Sequence, residues 1–109
     1  MNKYRDKSDF EINKAVFRAA RIKHKWFKFL PHGVVTYNIK GDWVIFDPCN
    51  NPADAMPIII ENKICLTVGD SDDIWVADTT RSLESSFNEN PLRAAMEVFL
   101  MMKDAENEK

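Results

Sequence analysis

The residues best suited to chemistry in this chain form one run of alternating bases and rings, RIKHKWFKF, from Arg21 to Phe29. Arg21, Lys23, Lys25 and Lys28 have the charge to hold phosphates, and a ring such as Trp26 has the flat face to stack on a base. Trp43 and Trp75 each head a short apolar stretch, Trp43-Val44 and Trp75-Val76. With the basic run they make a candidate ligand-binding set: Arg21, Lys23, Lys25, Trp26, Lys28, Trp43 and Trp75. A plainer arrangement uses the same side chains differently. Trp26, Phe27 and Phe29 would then be core aromatics at the end of a first helix, with the lysines simply wet.

Other chemistries find less support. His24, His32, Cys49 and Cys65 are the soft metal ligands, and no pair has the spacing of a metal site. They read as surface histidines and two buried thiols, so neither a metal nor a cofactor is expected. Nothing local marks either cysteine as an activated nucleophile. Asp42 and Asp47 flank the Trp43 segment at odd spacing, which puts them on opposite faces of a strand and argues against a shared acid–base pair. The chain holds only three glycines, too few and too scattered for a phosphate loop. The expectation is a protein that is not an enzyme.

Charge is unevenly placed. Residues 1–40 carry ten Lys or Arg against three acids, a net of +7, while residues 41–109 carry five against fourteen, a net of −9. Such a split suits a basic surface for an anionic partner, or two halves that lie together and partly neutralise each other. The overall acidic balance speaks against a general nucleic-acid binder. A small anionic ligand such as a nucleotide needs only a local basic pocket.

These residues must be positioned by a single domain, since 109 residues suffice for one core without staples. The organising stretch is Asn90 to Lys103, NPLRAAMEVFLMMK. Asn90 suits an N-cap and Pro91 the first helical position. Leu92, Ala95, Met96, Phe99, Leu100 and Met102 share a broad face, which Val98 and Met101 widen, while Arg93, Glu97 and Lys103 lie off it. Its apolar surplus leaves room for a second copy of the chain.

Toward the N-terminus, Ser8-Asp9-Phe10-Glu11 matches a capping box and opens a helix over about Asp9 to Arg21. Val34 to Ile39 and Trp43 to Phe46 read as a hairpin about a turn at Lys40-Gly41-Asp42. Asn51-Pro52 repeats the cap-plus-proline start, with Pro57 placed to kink or divide the second helix. Ile64 to Val68 and Ile74 to Ala77 read as a second hairpin, and the polar Thr79 to Glu89 as an exposed loop. The expected fold is therefore α+β. An N-terminal helix precedes two strand-strand-helix units, which form a mainly antiparallel four-stranded sheet with helices on one face.

Three strings, DFEINKAV, NPADAMPIIIENKICL and NPLRAAMEVFLMMK, resemble the conserved blocks of the NinX family of small proteins from lambdoid temperate phages of enterobacteria. The resemblance implies an accessory phage product made inside the infected cell, and supplies no catalytic or cofactor residues. The charged start MNKYRDKSDF is unlike a signal peptide, and two unpaired thiols suit a reducing compartment, so the host cytoplasm is the expected location. Binding is the expected mode of action, on a host protein or a sequestered nucleotide, to modulate host physiology or defence. A nucleic-acid-associated factor using the basic half is the alternative, and a small-molecule enzyme comes third.

Overall fold

The first helix, α1 (Asp9–Ala19), starts where Ser8 accepts the Glu11 amide on its side-chain oxygen. It buries Ile12, Val16 and Phe17 along one stripe. The computed structural model describes residues 2–20, 27–30 and 33–107. After α1 come β1 (Phe27–Leu30), β2 (Val34–Ile39) and β3 (Asp42–Phe46), then α2 (Pro52–Glu61). The chain continues through β4 (Ile64–Val68), β5 (Trp75–Thr79) and β6 (Ser85–Asn88) to α3 (Pro91–Asn107).

The strands do not form one four-stranded sheet. They form two separate antiparallel sheets of three, in the orders β1-β2-β3 and β4-β5-β6. The difference lies in two additional strands, β1 and β6, one in each sheet. No strand is expected over Phe27–Leu30, where basic and aromatic residues interleave ahead of a break, yet its pairing with β2 makes it β1. Ser85–Asn88 lies in the polar stretch expected as a loop, because SSFN carries little strand propensity; backbone pairing with β5 outweighs it. The repeated unit is thus strand-strand-strand-helix. The class remains α+β.

The helices are not on one face of a sheet either. Phe17 of α1 sits against the first sheet, its ring 5.3 Å from Phe27, 6.3 Å from Phe29, 6.2 Å from Tyr37 and 5.6 Å from Phe46. On its other side α1 packs on α3, and α3 packs on all three strands of the second sheet and on α2. The packing order is sheet, α1, α3, sheet. A helix in that position has no solvent side, and every residue from Arg93 to Met102 is buried. The apolar run Val98–Met102, expected to leave surface for a second copy, is enclosed by the chain itself.

Local rules account for the remaining joints. Asn51 and Asn90 cap α2 and α3, accepting from the amides of Ala53 and Leu92, each at 3.0 Å. Pro57 does not divide α2, which is continuous to Glu61. Lys40 and Gly41 both have positive φ, 51° and 93°, the backbone of a two-residue hairpin turn that twists with its strands. None of the helices among the described residues is long and apolar enough to cross a membrane.

Candidate recognition surface

Lys28 and Trp43 come together on the outer face of the first sheet. Cross-strand register sets this face: Lys28 lies opposite Thr36, Thr36 opposite Ile45, and Asn38 opposite Trp43. Side chains alternate across a strand, so Phe27, Phe29, Val35, Tyr37 and Phe46 point the other way, toward α1. The Lys28 ammonium stands 4.8 Å from the centroid of the Trp43 ring, within cation–π reach. Trp43 is 47% exposed and Ile45 59%. An indole, an isoleucine and a cation therefore share one open patch.

The rest of the sequence-derived set is not assembled with them. Trp75 belongs to β5 of the second sheet, opposite Val68 and Asn88, and is half-buried. Arg21, Lys23, Lys25 and Trp26 lie outside the described residues, as do His24 and His32. The surface reduces to Lys28, Trp43 and Ile45, and Ile45 was the residue that sequence reasoning left out. Its signal was present in the strand parity, since Trp43 and Ile45 are two apart.

A second constellation lies inside. Arg93 Nε donates to Glu97 Oε2 at 2.7 Å and Nη1 to Asp9 Oδ1 at 2.6 Å. Its Nη2 donates to the carbonyls of Tyr4 at 2.9 Å and Lys7 at 2.6 Å. Glu97 Oε1 in turn accepts from Ser86 Oγ at 2.5 Å and Asn2 Nδ2 at 2.6 Å. Burial alone would lower the Arg93 pKa, but the bonds to Asp9 and Glu97 outweigh it and hold the guanidinium charged. Among the described residues no buried side-chain polar atom lacks a partner. A network this complete fastens residues 2–8 onto α3, and its members are all engaged.

A family model described as Bacteriophage P22, NinX matches residues 3–103. The chain belongs to the NinX family. No curated protein and no solved structure matches it. The match runs continuously through β1–β3 and β4–β6, so both the Lys28–Trp43 patch and the Arg93–Glu97 pair fall within the NinX span.

One of the two thiols of this NinX protein departs from expectation. Cys49 is buried, its amide donating to Asn13 Oδ1 at 3.2 Å and its carbonyl accepting from Asn90 Nδ2 at 2.6 Å. Burial first, and then Asp9, pushes its thiol pKa up, which opposes nucleophile chemistry. Cys65 is not a core thiol: it is exposed on β4, on the side opposite the buried Ile64. Asp47 accepts from Asn13 Nδ2 at 2.7 Å and from Asn50, so it serves as a joint between α1 and the loop before α2. No group of three His, Cys, Asp or Glu capable of holding a metal occurs among the described residues.

Proposed function

We propose that this NinX protein acts by binding, and that it takes a host protein on the outer face of β1–β3. The observation that carries the reading is the uncovered patch of Trp43 and Ile45 beside the Lys28 ammonium. Tryptophan concentrates binding energy at protein interfaces when a partner desolvates it. Ile45 fits an apolar contact and has no role in holding phosphate, which favours a protein over a nucleotide. The lysine, and the net basic charge of residues 1–40, suit a partner surface with an acidic rim. Such a protein would serve the phage as an accessory factor, modulating host physiology or defence by occupying its target.

The Lys28–Trp43 pair also supports a second reading, as a stacking ring with an adjacent cation for single-stranded nucleic acid. Capture from host lysate separates the two, using the wild-type protein, Trp43→Ala and Lys28→Glu. The protein reading expects a defined host protein on the wild type that is lost from both variants. Nuclease-sensitive capture, with filter binding that collapses between low and high salt, would overturn it in favour of nucleic acid.

A further inference from the structure

We propose that β3 pairs with β3 of a second copy of the chain, antiparallel, about a two-fold axis at Val44. The pairing uses the strand's open edge and stands independently of what binds its outer face.

Among the described residues β3 is an edge strand, hydrogen-bonded to β2 on one side only. Opposed residues of an antiparallel pair alternate between bonded and non-bonded. The two-residue turn at Lys40-Gly41 closes on Ile39 and Asp42, which makes 39/42, 37/44 and 35/46 the bonded pairs. Trp43 and Ile45 therefore turn their N–H and C=O groups away from β2, toward the open edge. Those groups form a short ladder that carries no strand among the described residues.

The edge is also apolar on both faces. Trp43 and Ile45 are exposed on the outer face, and Val44 on the α1 side is 36% exposed. Natural edges are blunted by lysine, proline or bulges. The opposite edge of this sheet has such a device, with Lys28 inside β1. β3, reading DWVIF, has neither lysine nor proline. In the second sheet, the β6 edge is a polar four-residue strand, SSFN.

What fits this edge is β3 itself. An antiparallel two-fold at Val44 sets Trp43 opposite the second copy's Ile45, and Val44 opposite Val44. The 43/45 pairs are those whose amides and carbonyls face outward, so the ladder closes in register. Aromatic against β-branched is a favourable cross-strand pair. The one charge in the strand, Asp42, falls at opposite ends of the pairing, roughly 14 Å from its mate at about 3.4 Å per residue. That exceeds the Debye length at physiological salt. The result is one six-stranded sheet whose outer face carries two Trp43–Ile45 rows side by side.

Sedimentation of the full chain over a range of concentrations tests this. The wild type should move from a mass of 12.6 kDa toward twice that value as concentration rises. Val44→Lys and Val44→Glu each place like charges face to face at the axis, and each should stay at the single mass while keeping the wild-type circular dichroism. Mixed in equal amounts, the two should recover the double mass, because opposite charges then meet. Ile45→Pro, which deletes an outward N–H together with the side chain set opposite Trp43, should also stay single. A wild type that never leaves the single mass would overturn the proposal. So would a mixture that fails to pair, or a mass that grows past two copies.

Discussion

The guanidinium of Arg93 and the carboxylate of Glu97, one turn apart on α3, meet at 2.7 Å with both side chains buried. Each is also committed elsewhere, Arg93 to Asp9 and to backbone carbonyls, Glu97 to Ser86 and Asn2. Arg93→Met should cost about 3–5 kcal/mol, because it strands a buried carboxylate. Arg93→Lys keeps the charge but not the fork, and should still lose about 1.5–3 kcal/mol of bonds to charged groups. Urea unfolding midpoints measure both, and a lysine variant as stable as the wild type would refute the fork argument.

Phe99 is buried on α3 in the core. Phe99→Ala should cost about 3–5 kcal/mol, since the site is walled by other elements and cannot collapse freely. A thermal midpoint within a degree of the wild type would contradict the placement of α3.

Asn90 and Asn51 are both caps, but they are not equivalent. Asn51→Ala should cost about 0.5–2 kcal/mol, the ordinary loss of a cap. Asn90→Ala removes the same cap and also the donor to the Cys49 carbonyl, so it should cost more. Equal losses in paired denaturation curves would mean that the second bond contributes nothing.

Alkylation should distinguish the two thiols. Cys65 should react in the native protein and Cys49 only after unfolding, as counted by intact mass with and without denaturant. The folded state raises the Cys49 pKa, so it holds the proton more tightly than the unfolded chain does. That contribution is fully present below the ordinary thiol value of about 8.5 and is lost as pH rises above it. Cys49→Ala should therefore flatten the fall in stability on the alkaline side, while Tyr4 and Tyr37, whose hydroxyls burial also pushes up, still contribute above about pH 10. An unchanged alkaline slope would count against the buried-thiol account.

Much of the framework was legible because local chemistry specifies it. Ser8, Asn51-Pro52 and Asn90-Pro91 mark helix starts by rules that act within four residues, and all three caps form. β1 and β6 were missed because their evidence is not local. Phe29 is a strand residue through Val35, and Ser86 through Ala77, pairings that no window on the sequence displays. Arg93 and Glu97 were placed off the core by polarity, yet a helix apolar around its circumference has no polar side to offer. Their four-residue spacing and opposite sign were the signal that they satisfy each other. At the recognition surface, the charge of Lys28 and the ring of Trp43 were both readable, but their proximity depends on β2 lying between them.

The position of α3 between α1 and the second sheet has a bearing on how the protein is made. This helix is translated after every element it packs against. Until residues 91–107 emerge, Val16, Ile59, Ile64 and Ala77 have no common core to enter, and a nascent chain carries them as exposed apolar surface. Contacts between segments this far apart in sequence close slowly, and unfinished surfaces of this kind invite aggregation or chaperone capture. The common core of these elements accordingly closes late, once residues 91–107 are available, rather than growing outward from α1.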